Sequence, residues 1–356
     1  MSLRRTRMRL LATALTAALA LSACSSNDDS TTAESTAAAA SAEGTATEAA
    51  ADEKGTHTVI DADGNSVEVP NKPQRVIATD NTVFRTIHDW GVKLVAAPQG
   101  VIASTSPYKT DSSINNIGNH REPNMEVFVA EDPDLVLTGY RFGKYLDEIK
   151  QLVPNAAVVN TDIRSGFGGD DVPLDEKLRK QTVMLGEALD KQKEADKLVK
   201  DFNAAIERAQ KAYNKDETVM GLLTSGGDIN YAAPHVGRSV GPVFDIVGLT
   251  PALEVENASK EHTGDDISVE AIAQANPDWI IVLDRDAAVA ADKPEYKSAA
   301  DLIANSEALQ SVPAVKNGNI IVLEPDFYQT EDIQAYTKLL NQMAEAMENA
   351  SKNTGA

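Results

Sequence analysis

The feature that most constrains this chain is an internal repeat. Residues 124–141, NMEVFVAEDPDLVLTGYR, are echoed by residues 268–285, SVEAIAQANPDWIIVLDR. Glu126 and Glu270 hold the third position, Pro133-Asp134 and Pro277-Asp278 the middle, and Arg141 and Arg285 the end, each pair 144 residues apart. Repeated sequence implies repeated structure. Each copy predicts helix, tight turn, strand. Asn124 and Ser268 suit N-caps, and a glutamate two residues later suits the positive end of a helix dipole. Pro-Asp stops the helix, and residues 135–137 and 279–283 have the unbroken apolar character of buried parallel strands. A helix that precedes such a strand runs antiparallel to it, so helix start and strand end share an edge. Glu126 should then share an edge with Arg141, and Glu270 with Arg285, at the carboxyl edge where open α/β sheets bind ligands.

A second echo supports two lobes. Residues 83–92, VFRTIHDWGV, resemble residues 242–249, PVFDIVGL, and each follows a short apolar strand and a polar loop. Upstream, alternating apolar positions around Asp63-Gly64 predict a β-hairpin over 58–69. Residues 75–79 predict a short buried strand, and 83–90 a helix stopped by Gly91. Between the repeat copies, residues 190–213 are rich in Lys, Glu, Ala, Asp, Leu and Gln, with Leu198, Phe202, Ile206 and Ala209 at helical spacing. About 24 helical residues span about 36 Å, enough to cross between lobes and stiff enough to allow only modest closure. The expected fold is α/β: two Rossmann-like lobes with central sheets, joined by a single long backbone helix, with a ligand cleft between them. The expected boundaries are an N-terminal lobe over 57–188, the interlobe helix over 189–214 and a C-terminal lobe over 215–350.

The N-terminus speaks to location. Arg4, Arg5, Arg7 and Arg9 precede an apolar stretch over 10–21 that is too short to span a bilayer comfortably, and the stretch ends at Leu21-Ser22-Ala23-Cys24. The combination reads as a lipoprotein signal peptide over 1–23, with Cys24 as the acylated residue. It is the chain's only cysteine, so no internal disulfide competes for it, and two acyl chains anchor stably. Residues 24–56 read as a lipidated cysteine followed by a solvated, disordered linker.

Charge excludes some partners. The formal net charge of −21 argues against nucleic acid and against charge-driven adhesion to an anionic membrane. An anionic ligand stays open, because salt screens charges beyond about 10 Å at 0.1 M and a local basic pocket can override the distant field. Enzyme motifs give little: there is no His-Glu-x-x-His, no phosphate-cradling Gly-Lys-Ser/Thr and no Gly-x-Gly-x-x-Gly.

Four segments carry a family resemblance: TVIDADGNSVEVPNKPQRVIA (58–78), IGNHREPNMEVFVAEDPDLVLTGYR (117–141), GDDISVEAIAQANPDWIIVLDR (264–285) and GNIIVLEPDFY (318–328). Over about 58–346 the chain resembles the substrate-binding proteins of iron-siderophore ABC importers, the helix-backbone class that also serves haem and cobalamin. The resemblance implies a monomeric receptor without an intrinsic cofactor, not an enzyme, that takes Fe(III) as a siderophore complex and hands it to the permease. Within that family it is similar to the branch that binds ferric catecholates, in which both repeat strands end in arginine and a further turn supplies a third. Arg141, Arg238 and Arg285 match that platform, although the turn Gly237-Arg238-Ser239-Val240-Gly241 departs from the usual Arg-Phe-Gly. A ferric tris-catecholate is a flat-ringed trianion, and arginine suits it because its planar guanidinium both forks onto oxygens and stacks on rings.

The resemblance also marks His262, in Glu261-His262-Thr263-Gly264, and Tyr328 as iron ligands where a siderophore leaves two positions open, with Gln329 the neighbouring candidate for the tyrosine's place. It marks Glu126 and Glu270 as the pair that meets arginines of the permease. A helix-terminal glutamate also stabilises its own helix by about 0.3–1 kcal/mol, and the two roles are compatible. The alternatives are a haem or cobalamin receptor of the same fold and, more distantly, a lipoprotein hydrolase.

Overall fold

The computed structural model describes residues 55–354. The expected signal peptide, Cys24 and nearly all of the expected linker lie outside the described residues. Among the described residues, no helix is long and apolar enough to cross a membrane.

β1 (Thr56–Ile60) pairs antiparallel with β2 (Ser66–Pro70), and the hairpin turns through Gly64 at φ +83°. The N-terminal lobe is a parallel sheet of β3 (Val76–Ala78), β4 (Leu94–Ala97), β5 (Asn115–Asn116), β6 (Leu135–Thr138) and β7 (Ala157–Asn160), in the order β5-β4-β3-β6-β7. The C-terminal lobe is built from β8 (Thr218–Ser225), β9 (Asp228–Tyr231), β10 (Thr250–Pro251), β11 (Trp279–Asp284) and β12 (Ile320–Val322). Four of these run parallel in the order β10-β8-β11-β12, and β9 folds back antiparallel on β8. That return strand departs from the simple echo between lobes. The helix Phe84–Asp89 follows β3 after a short loop, whereas its counterpart Gly241–Val247 comes only after the β8–β9 hairpin.

The repeat folds twice as helix, turn, strand: Glu126–Glu131 into β6 and Val269–Ala275 into β11. Both helices end on a left-handed residue that is not glycine, Asp132 at φ 38° and Asn276 at φ 52°. The Pro-Asp motif does more than stop a helix. The Asp134 carboxylate accepts the backbone N–H groups of Gln74 (2.7 Å) and Arg75 (2.9 Å), just ahead of β3. Asp278 accepts the N–H (2.8 Å) and the hydroxyl (3.1 Å) of Thr218, the first residue of β8. In each lobe the repeat thereby clamps its own strand to the strand beside it.

The helix Gln192–Ala212 feeds both cores. Ala195, near its start, packs with Met184 and Leu185 in the N-terminal core. Phe202, Ala205, Ile206 and Ala209 pack with Leu339, Leu340 and Met343 of the last helix, Ile333–Thr354, in the C-terminal core. Full burial of a side chain such as Phe202 is worth about 1.5–3 kcal/mol, so either lobe resists being pulled off this helix. Arg208 adds a two-pronged pair with Glu348 at 3.0 and 2.9 Å.

Two buried carboxyls give the fold a pH dependence. Burial pushes Asp80 up to about 6, against the opposing hydrogen bonds of Thr161 and Thr82. Burial likewise pushes Asp332 up to about 6, against the pull of Arg85. A carboxyl raised on folding favours the folded state while it is protonated. Its contribution is therefore full below the ordinary value of 3.8 and is lost as pH rises through about 6. Asp80→Asn is expected to flatten the decline in stability between pH 4 and 7 by on the order of 2 kcal/mol, read from urea unfolding midpoints. An unchanged slope would show that Asp80 ionises normally.

Candidate functional site

Local geometry explains how each arginine reaches the carboxyl edge. A Cβ on Gly139 would lie 2.6 Å from Asp80 Oδ2 and 2.7 Å from the Asp162 nitrogen, so only glycine lets the chain leave β6 here. Tyr140 follows at φ +45°, a costly conformation for an aromatic residue, and delivers Arg141 into the short turn Tyr140–Tyr145. Arg285 opens the helix Arg285–Val289, whose first turn is capped by Asp284 accepting the Ala287 N–H at 3.0 Å. Arg238 sits in the turn between β9 and Gly241–Val247. There Gly237 is required, since a Cβ would stand 2.4 Å from the Ala233 nitrogen.

The three arginines converge. Arg141, Arg238 and Arg285 line one cavity of about 330 Å³ together with His262, Tyr328, His120, Arg121 and Tyr140. Their guanidinium carbons lie 6.0, 4.6 and 5.2 Å from the centre of the buried Tyr328 ring. Tyr140, from the other lobe, is faced by Arg164 at 4.5 Å, Arg141 at 5.3 Å and Arg238 at 5.8 Å. These are cation–π distances. The Nε atoms of the repeat-related pair, Arg141 and Arg285, are buried and without a hydrogen-bond partner.

Arg238 differs from the other two in its partners. Its Nε and Nη2 donate to the two oxygens of Glu331 at 3.0 and 2.6 Å, and its Nη1 donates to the Tyr140 hydroxyl at 2.9 Å. Its side chain is only 6% exposed. Glu331 also takes the Ser239 hydroxyl at 2.6 Å and pairs with Arg164 of the opposite lobe. Burial pulls the Glu331 carboxyl upward, but Arg164 and Arg238 outweigh it and hold it at about 2. The charge of Arg238 is thus compensated inside the protein, whereas Arg141 keeps its charge for the cavity. Arg285 is intermediate, with a hydrogen bond to Ser225 at 3.2 Å and Asp286 3.6 Å away.

A larger chamber of about 640 Å³ adjoins the first and shares Tyr140, Arg238 and His262 with it. Seven cationic side chains (Arg121, Arg141, Arg164, Lys177, Arg238, Lys260, Arg285) and four carboxylates (Asp170, Asp245, Glu261, Glu331) line the two chambers. A local cationic excess therefore sits inside a chain of net charge −21. The histidine beside it is affected in turn. Burial, then Arg141 and Arg121, hold the His120 imidazole below its ordinary value.

The remaining sequence candidates fall as follows. His262 is exposed and stands where the two chambers meet. Tyr328 faces the arginines, while Gln329 lines a different cavity, so only the tyrosine of that pair reaches this site. Glu126 and Glu270 are exposed in the first turns of their helices. Among the described residues, no group of three or more His, Cys, Asp or Glu is placed to hold a metal ion.

Residues 237–241 do have the Gly-x-Ser-x-Gly spacing of a hydrolase nucleophile elbow, a motif that sequence reasoning missed. Ser239, however, gives its hydroxyl to Glu331, and His235 pairs with Asp245 at 2.6 Å. Tyr140, Arg164, Glu331 and His120 lie outside the repeat-based expectation. Tyr140 and His120 sit within a family-like segment, while nothing in the local sequence of Glu331 marks it as the partner of two arginines.

This arrangement, two α/β lobes on a helix with a charged cleft at their carboxyl edges, defines a two-lobed binding-protein fold. The chain belongs to the periplasmic binding protein family, which matches residues 76–327. It is 29% identical over 272 residues to the ferric-anguibactin-binding protein FatB of Vibrio anguillarum, covering 76% of this chain and 81% of that protein. It is 23% identical over 291 residues to the petrobactin-binding protein YclQ of Bacillus subtilis, covering 80% and 86%. The crystal structure of YclQ matches with a TM-score of 0.69 over 83% of this chain and 99% of that one, at 22% identity. The catecholate-siderophore binding protein VctP of Vibrio cholerae matches with a TM-score of 0.66 over 83% and 99%, at 23% identity. These structures establish the two-lobed fold, and the relatives are binding proteins rather than enzymes.

Proposed function

We propose that this protein is a membrane-anchored receptor that binds a ferric siderophore, of the anionic catecholate class, and delivers it to an ABC importer. One observation carries the reading: Arg141 and Arg285, related by the repeat, bring buried, unpartnered Nε donors to a cavity in which three guanidiniums surround an aromatic ring. Unpaired donors of this kind favour an anion with several oxygens, and flat rings can stack on the guanidinium planes. The names of FatB, YclQ and VctP agree with a ferric siderophore. Iron arrives with its own oxygen ligands. Where a siderophore leaves two positions open, His262 and Tyr328 complete them. Cys24 carries the lipid, and the linker keeps the receptor near its permease, which raises the effective concentration for docking.

Absorption spectroscopy tests the ligand class. Ferric tris-catecholate bound to the mature protein should keep its broad visible charge-transfer band. A sharp Soret band with haem, at tighter affinity, would replace this reading with a haem receptor.

Glu126 and Glu270 serve as the docking pair, one per lobe. Charge reversal at both, Glu126→Arg with Glu270→Arg, should abolish iron uptake in cells while changing ligand affinity less than twofold. Uptake at the normal rate would remove the docking role.

A further inference from the structure

A separate cavity of about 230 Å³ lies on the other side of the short helix Phe327–Thr330. Tyr328 faces the arginines, whereas Asp326, Gln329 and Thr330 line this second space, which shares no lining residue with the ligand cleft. We propose that it is a binding site for a small alkylammonium cation, a ligand class distinct from the anion of the main cleft.

One acceptor is fixed by the other contact of its side chain. Asn81 is 4% exposed, and its Nδ2 donates to the Val101 carbonyl at 2.7 Å. Its Oδ1 must therefore be the acceptor, and that atom is buried without a partner. Gln329 Oε1 and Ser106 Oγ, on the same walls, are also buried and unpartnered. Three such groups in one cavity are unusual, because each unsatisfied polar group costs free energy. An ammonium offers three N–H donors and no acceptor, which matches this set.

The field has the right sign. Arg85 is the one guanidinium on the wall, and it is met by Glu324 at 3.4 Å, Asp326 at 3.3 Å and Asp332 at 3.3 Å. Asp89 adds a fourth carboxylate, with its Oδ2 accepting from Gln334 at 3.0 Å, while Lys338 pairs with Glu324 from outside. Four carboxylates against two cations, with His88 on the wall 3.5 Å from Asp89, leave the region negative even if the imidazole carries a proton. Phe84, Ile102, Ala103 and Pro107 supply an apolar wall. That wall suits a short carbon chain behind the charge and does nothing for a bare metal ion.

The test uses the mature full-length protein, with n-butylammonium, 1-butanol, butyrate and potassium as probes in isothermal titration and ligand-observed NMR. Butylammonium should bind saturably, at least tenfold tighter than butanol or potassium, with butyrate not bound. Ala103→Leu fills the cavity and leaves every polar group in place, and Asn81→Leu removes the fixed acceptor. Each should weaken butylammonium at least tenfold, with thermal midpoints confirming that the variants fold. Butylammonium binding that survives Ala103→Leu would show only attraction to an acidic surface and overturn the site. Butanol or potassium binding as tightly as butylammonium would overturn the assigned chemistry. None of these outcomes depends on what the main cleft binds.

Discussion

Replacing Arg141 and Arg285 together by alanine is expected to weaken binding of a ferric tris-catecholate at least 1000-fold, about 4 kcal/mol, and each single change about 30-fold. These magnitudes follow from about 2 kcal/mol for each charge-assisted hydrogen bond removed, the lower end of what truncating a buried charge partner costs. The same variants should lose little stability, at most the share carried by the hydrogen bond of Arg285 to Ser225 and the contacts with the Tyr328 ring. In the free protein the Nε atoms of both arginines are buried without a hydrogen-bond partner, so removing them relieves an unpaired donor in the folded state. Affinity and stability therefore move independently, and calorimetry beside urea unfolding reads both. Arg→Lys at either position keeps the charge but loses the planar fork, and should fall between wild type and alanine. A double variant with undiminished affinity would place the ligand elsewhere.

Glu331→Gln should behave in the opposite way. Glu331 compensates buried Arg238 and half-buried Arg164 at once, and through Arg164 it is one of the links between the two lobes. Removing its charge leaves two guanidiniums without a counter-ion, and loss of one partner from a buried ion pair costs about 3–5 kcal/mol. The stability that Glu331 contributes is present above its ordinary value of 4.5 and is lost as pH falls toward about 2. The variant should therefore lack that acid-induced loss. The cleft would also gain one uncompensated positive charge, so affinity for a trianion should rise even as the fold weakens. A variant as stable as wild type would mean that the arginines are satisfied without Glu331.

The repeat makes much of this legible. Two copies of one helix-turn-strand pattern locate both lobes, the carboxyl edges, and Arg141 and Arg285, because local periodicity and spacing carry that information. The Pro-Asp motif reads locally as a helix stop. Its second role, holding the neighbouring strand through Asp134 and Asp278, depends on which strands pair, and that is a tertiary fact. Glu331 is illegible for the same reason. It meets Arg238 and Arg164 across separations of 93 and 167 residues and adopts a left-handed backbone (φ +43°) that no local pattern announces. Tyr140 is hidden differently. It lies inside the repeat, yet its counterpart Asp284 has an ordinary backbone and caps a helix, so the symmetry breaks at the residue before each arginine.

Recognition of charge as well as shape is the central property proposed for the cleft. The most direct measurement is a calorimetric titration of the mature protein with a trianionic ferric tris-catecholate and, separately, with an uncharged ferric hydroxamate of similar size. One-to-one binding of the catecholate is predicted, at least 100-fold tighter than the hydroxamate, with the advantage shrinking as salt is raised. Equal affinity for the two, or tighter binding of the neutral complex, would contradict it.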